Sequence, residues 1–185
     1  MAHPPEPCDP LDGAVDAARV GDSAGFDALY RSLAGPITGF ARGRGASDPE
    51  GICNETFLRA FRSLPTFEGG GAAFRRWVFS ICRNQLIDAH RAAQRRPVEV
   101  LAEPPSRTHP AAEDLALARV ARVDVDRVLR CLTDEQREVV LLRLVEDLSL
   151  ADTAEIVGRP VTAVKRLQAR ALRKLQAEIL REEVS

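Results

Sequence analysis

The sequence predicts an all-α protein: two small helical domains joined by a proline-rich linker, the C-terminal one a helix-turn-helix. Three observations carry that expectation. Apolar residues recur at three- and four-residue steps along most of the chain. Strand signals are weak throughout and no internal repeat is present. Pro97, Pro104, Pro105 and Pro110 crowd one central stretch, where a residue that lacks an N–H and fixes its φ blocks a continuous helix.

Residues 1–10, with Pro4, Pro5, Pro7 and Pro10, read as a disordered lead-in. From Leu11 to about Arg44, Val15, Ala18, Phe26, Leu29, Tyr30, Leu33, Ile37 and Phe40 keep helical spacing, with a break at Gly21-Asp22. Ser47-Asp48-Pro49-Glu50 restarts the helix, because Ser47 or Asp48 can cap it, Pro49 suits the first turn and Glu50 can complete a capping box. Cys53, Phe57, Ala60, Phe61 and Leu64 line its apolar side, Pro65 ends it, and Gly69 to Gly71 mark an exposed hinge loop. The next helix begins near Ala72. Phe74, Trp77, Val78, Ile81 and Cys82 look inward, while Arg75, Arg76, Arg83, Arg91, Arg95 and Arg96 crowd the rest, offset only by Asp88. The first domain is expected to span residues 11–96.

Residues 97–111 read as an extended linker, with Glu99 and Glu103 within it. The second domain is expected over residues 112–185. Val125, Val128, Leu129 and Leu132 face its core. Thr133 to Gln136 caps a helix that buries Val139, Val140 and either Leu142 or Leu144. Ser149 to Asp152 opens a short helix that stops at Gly158, Arg159-Pro160 turns the chain, and Thr162 can cap a longer helix. On that helix Val164, Leu167, Ala171, Leu172 and Leu175 lie at helical spacing. A short helix, a Gly-containing turn and a longer basic helix form the helix-turn-helix pattern. Arg159, Lys165, Arg166, Arg170, Arg173 and Lys174 stand there with no carboxylate until Glu178, which suits entry into a DNA groove. The competing reading is a solvated basic face, common on helices that never touch DNA.

The 26 Lys and Arg against 27 Asp and Glu give a net charge of −1, so any DNA-binding charge is local and balanced elsewhere. Cys8, Cys53, Cys82 and Cys131 show no Cys-x-x-Cys pairing, and His3, His90 and His109 lack ligand spacing, so neither metal nor cofactor is implied. Cys53 and Cys82 read as buried reduced thiols. With no apolar run of membrane-spanning length and no signal peptide before the first helix, the expected location is cytoplasmic.

These particular residues, in this order, resemble a bacterial RNA polymerase sigma factor of the extracytoplasmic-function (ECF) type, from about Gly21 to Leu180. In the first domain the matching stretches are FDALYRSLAGPITGFA, ETFLRAFRSLPTF and FRRWVFSICRNQLIDAHRAAQRR. The last looks like the family stretch that melts and reads the promoter −10 element. In the second domain, LTDEQREVVLLRLVEDLSLADTAEIVG resembles the scaffold that binds the −35 element, and VTAVKRLQARALRKL stands at its recognition helix.

The resemblance implies roles residue by residue. Asn84 falls where the family helps to hold a flipped −10 base, and Asp88 and Arg91 fall on the neighbouring specificity loop. Arg83, Arg95 and Arg96 would neutralise phosphates. Trp77, which in this setting could abut the melting fork, is read as core. Thr162, Lys165, Arg166, Ala169, Arg170 and Arg173 stand on the recognition helix that meets the −35 major groove, where arginine can take guanine bidentately. Asp48, Glu50, Asn54 and Glu55 match the surface that docks on the polymerase β′ clamp helices; their bland reading is an acidic helix start near the macrodipole. The linker would thread the polymerase cleft. The implied partners are core RNA polymerase, through the β′ clamp helices and the β flap, and promoter DNA; the family is commonly held by an anti-sigma factor. Three features depart from the pattern: Asn54 replaces the usual Gln, Thr153 replaces an apolar residue, and Leu167-Gln168 reverses the common basic-then-apolar order. The last leaves open how the recognition helix is rotated.

Two other classes compete. A free-standing helix-turn-helix repressor or activator accounts for the C-terminal domain but leaves Phe74 to Arg96 and the linker without a purpose, and shows no obvious dimerisation helix. An enzyme is poorly supported, with no phosphate loop after a strand, no nucleophile motif and isolated histidines.

Overall fold

The structure, a computed structural model, describes residues 9–95 and 128–183. All regular structure among them is helical. The N-terminal group comprises α1 (Asp12–Arg19), α2 (Ser23–Gly43), α3 (Pro49–Ser63) and α4 (Gly71–Arg95), with a 3-10 turn at Leu64–Thr66. The C-terminal group comprises α5 (Asp134–Val140), a π-turn at Leu141–Val145, α6 (Leu150–Val157) and α7 (Val161–Glu183).

The predicted break at Gly21-Asp22 separates α1 from α2, and Asp22 caps α2 by accepting from the Ala24 amide. Asp48, rather than Ser47, caps α3, accepting from the Gly51 amide at 2.9 Å. Glu50 completes no capping box; it pairs with Arg42 instead. Behind these caps, Leu29, Leu33, Ile37 and Phe40 of α2 meet Phe57 and Ala60 of α3 and Phe74, Val78 and Phe79 of α4, all buried. Phe40 and Phe79 pack edge to face with ring centroids 5.6 Å apart. Each such fully buried side chain contributes about 1.5–3 kcal/mol. Cys53 and Cys82 lie in the same core as free thiols. Burial pushes the Cys82 thiol up to about 12 and raises that of Cys53.

The α4 start departs from the hinge expectation. Gly71 is buried and donates its amide to Asp12 Oδ1 at 2.6 Å, so only Gly69 and Gly70 form the exposed loop.

In the C-terminal group, Thr133 and Gln136 form a reciprocal capping box at α5. The π-turn then decides between two expected core residues: Leu142 is fully buried, whereas Leu144 is 51% exposed. Leu129, Leu132, Val139, Ile156, Val157, Val164 and Ala171 complete this core. The two groups pack against each other, with Leu141 lying over Gly43 of α2, where the missing Cβ leaves room for its methyls. The expectations for residues 1–8, Arg96, the linker at 97–111 and Val125 lie outside the described residues.

Candidate nucleic-acid interface

The helix-turn-helix is built by local chemistry. Ser149 Oγ accepts from the Asp152 amide at 3.0 Å while Asp152 Oδ2 accepts from the Ser149 amide at 3.3 Å, closing the capping box on α6. Gly158, at φ 65° and ψ 38°, ends α6 in the left-handed region that favours glycine. The Pro160 carbonyl then accepts from the amides of Ala163 and Val164, so α7 begins at Val161. Thr162 therefore lies in the first turn and not at the cap, a correction of one residue in the helix start.

Along α7, Val164 and Ala171 are fully buried, and Leu167 and Leu175 pack partly against the core. Leu172, expected inward, is 42% exposed. Thr162, Lys165, Arg166, Ala169, Arg170 and Arg173 are exposed on the same helix. The rotation left open by Leu167-Gln168 is thereby fixed: Leu167 takes the inner side, and the basic stripe faces out. None of Lys165, Arg166, Arg170 and Arg173 has an ion-pair partner among the described residues. Flanking cations are engaged. Arg159 pairs with Glu135, and Lys174 Nζ donates to the Cys131 carbonyl at 3.4 Å.

The second set of expected DNA contacts lies on α4. Trp77 stacks on Phe67 with centroids 4.7 Å apart, which supports the core reading of that ring. Gln85 is buried and donates to Thr56 Oγ1 of α3 at 3.0 Å. With Gln85 held inward, Asn84, Asp88 and Arg91 stand exposed, Arg91 within 4.0 Å of Asp88. Arg95 is the last residue of α4.

Arg83 takes a different course from its exposed neighbours. Its Nε donates to Glu138 Oε1 of α5 at 2.9 Å, and Arg44 of the α2 end approaches the same carboxylate at 3.9 Å. Arg76 reaches Asp152 at 3.0 Å and Glu155 at 3.2 Å, both on α6. Sequence reasoning missed Arg44, Glu138 and these pairings, because their partners are far apart in the chain.

On α3 the four acidic or amide candidates each have a local partner. Asp48 is the cap, Glu50 pairs with Arg42 at 2.8 Å, and Glu55 with Arg59 at 2.8 Å. Asn54 accepts from Tyr30 Oη at 3.2 Å. Tyr30 and Leu58, both large and substantially exposed, border them; Leu58 carried a signal, as a leucine off the core stripe of α3. Among the described residues no cluster of His, Cys, Asp and Glu could hold a metal, and no helix is long and apolar enough to cross a membrane.

Residues 29–96 match the family model of sigma-70 region 2, and residues 122–175 that of sigma-70 region 4. The ECF RNA polymerase sigma factor BldN of Streptomyces coelicolor is 31% identical over 165 residues, which cover 87% of this chain and 62% of BldN, less than two thirds of that protein. SigD of Mycobacterium tuberculosis, also an ECF RNA polymerase sigma factor, is 30% identical over 179 residues, 92% of this chain and 84% of SigD. Among solved structures, CnrH in complex with the cytosolic domain of CnrY is similar at a TM-score of 0.69 and 25% identity, covering 91% of this chain and 97% of that one. The fold is also that of RpoE in complex with the anti-sigma factor NepR from Bartonella quintana, at a TM-score of 0.65, 24% identity, and 84% and 96% coverage.

Proposed function

The chain belongs to the ECF RNA polymerase sigma factors, and on that premise we propose that it binds core RNA polymerase, directs it to two-part promoters and assists strand separation. The observation that carries this reading is the pairing of a region 2 match with a region 4 match, in that order, the latter holding the exposed basic face of α7, unpaired among the described residues. An isolated helix-turn-helix regulator needs only the second.

The division of labour follows from the chemistry of each face. On α7, Lys165, Arg166 and Arg170 project from the outer side of a helix of major-groove dimensions, with Thr162, Ala169 and Arg173 beside them. Arginine there takes guanine through two parallel donors, and lysine supplies a point charge. On α4, Asn84 presents both a donor and an acceptor to the pairing edge of an unstacked base, with Asp88 one turn and Arg91 two turns further on. Arg83, Arg95 and Arg96 supply phosphate charge. The α3 surface of Asp48, Glu50, Asn54 and Glu55 meets the β′ clamp helices, with Tyr30 and Leu58 supplying apolar contact, and the region 4-like unit meets the β flap. Expressed as domains, residues 11–96 and 112–185 are the two recognition units, with 97–111 the tether that lets two weak contacts add.

Polymerase performs the chemistry, so the chain needs no catalytic group of its own and acts in the cytoplasm beside the chromosome. RpoE of Bartonella quintana is bound by the anti-sigma factor NepR in its solved complex, and an anti-sigma factor is a fitting regulator here. Co-purification with core polymerase tests the reading. Stoichiometric association supports it, and a chain that ignores polymerase but binds a palindromic operator as a dimer refutes it.

A further inference from the structure

Glu138 is a carboxylate only 6% exposed, and the cations within its reach, Arg83 and Arg44, come from the other helical group. Removing a carboxylate from water is costly unless it is paired and hydrogen-bonded, so its burial depends on those two arginines. Arg44 is itself held in place, its Nη1 donating to the Asp134 carbonyl at 2.7 Å. At the rim of the same contact Arg76 spans Asp152 and Glu155. Three arginines of the N-terminal group thus face three carboxylates of the C-terminal group.

Two guanidinium groups converging on one anionic oxygen form a donor set that also suits a phosphate oxygen. We propose that Arg44 and Arg83 form a phosphodiester-binding site on the N-terminal group, and that Glu138 occupies it as an internal competitor. Opening the contact between the groups is what frees the site for a DNA strand. The inference rests on the initiation reading for Arg83 and adds to it Arg44 and a self-inhibiting carboxylate.

The competition is one-sided. Arg83 and Arg76 are occupied in the closed arrangement, whereas Lys165, Arg166, Arg170 and Arg173 on α7 stay exposed. A closed chain therefore keeps its duplex-facing stripe available while its α4 arginines are engaged. When only the open fraction can bind a strand, the apparent affinity falls by that fraction.

The test uses the full chain and a fluorescein-labelled dT20 single strand, followed by anisotropy across a salt series. Glu138→Gln keeps the shape and removes the charge. It is expected to tighten dT20 binding about tenfold and to steepen the salt dependence by about 1.4, since two phosphate contacts release about 0.7 each on single strands. Adding Arg44→Ala to that variant should return about half of the added slope. Because Glu138 is buried, Glu155→Lys serves as a second variant; it repels Arg76 from the exposed rim and should shift binding in the same direction. Unchanged affinity and slope in both folded variants overturns the proposal, as does a gain that Arg44→Ala leaves intact. Co-purification of the wild-type chain with core polymerase is scored in parallel. Association without the anisotropy gain sinks the competitor alone, whereas failure to associate sinks the initiation reading.

Discussion

Gln85 Nε2 donates to Thr56 Oγ1 at 3.0 Å inside the N-terminal core, and Thr56 in turn donates to the Ile52 carbonyl at 2.7 Å. This buried chain ties α4 to α3 and fixes the rotation of α4, so that Asn84 points outward. Thr56→Val preserves the shape but leaves the Gln85 amide without its acceptor. The expected cost is about 1–3 kcal/mol of stability, measured by urea unfolding; an unchanged midpoint contradicts the role given to this pair.

Thr153 is the opposite case. It is fully buried, and its Oγ1 has no hydrogen-bond partner among the described residues. Thr153→Val replaces an unsatisfied hydroxyl by a methyl of similar volume, so α6 should gain about 1 kcal/mol. A loss of stability would show that the hydroxyl is satisfied in solution.

Arg170 is exposed on the outer side of α7 and unpaired among the described residues. Arg170→Ala should weaken promoter binding by about 1–3 kcal/mol if the guanidinium reads a base. Gel-shift titration on the promoter duplex checks this, with start-site selection in run-off assays as the second readout. A uniform loss across unrelated sequences would reassign Arg170 to phosphate contact.

Asn84→Ala should impair strand opening more than closed-complex binding, because the role proposed for its amide begins only after a base has left the stack. Permanganate reactivity of promoter thymines is the measure. A footprint as strong as wild type would refute that role.

Glu146 follows the π-turn and lies beside Gly39 of α2 and Arg75 of α4. Burial raises its carboxyl from 4.5 to about 7, with Arg75 opposing the shift. A raised carboxyl means that the folded chain holds the proton more tightly than the unfolded one. Stability is therefore lost as pH rises from about 4.5 to about 7, and the penalty is constant above that. The difference in Tm between Glu146→Gln and wild type should shift in favour of the variant over this window and then level off. A difference independent of pH would place Glu146 in water.

Much of this arrangement is legible in the chain because its signals are local. The caps at Thr133 and Ser149 need only residues three apart, and Gly158 needs only its own backbone. The core stripe of α2 and most of that of α4 follow from helical period, though the fully buried Phe79 of α4 stands outside the set expected to face inward. What the sequence leaves open depends on distant partners. Leu142 and Leu144 differ by two positions, and only the π-turn decides which one is buried. Arg83 and Glu138 stand 55 residues apart, so an arginine that locally reads as free is found engaged. The Leu167-Gln168 order looked anomalous against the family pattern, yet packing of Leu167 against the core resolves it without turning the basic stripe inward.

Run-off transcription with purified core polymerase on genomic fragments, with and without the chain, decides whether the chain directs polymerase to promoters. Discrete start sites are expected that appear only when the chain is added and share a −10 and −35 pair at fixed spacing. An unchanged transcript pattern, with the chain correctly folded and in excess, would contradict it.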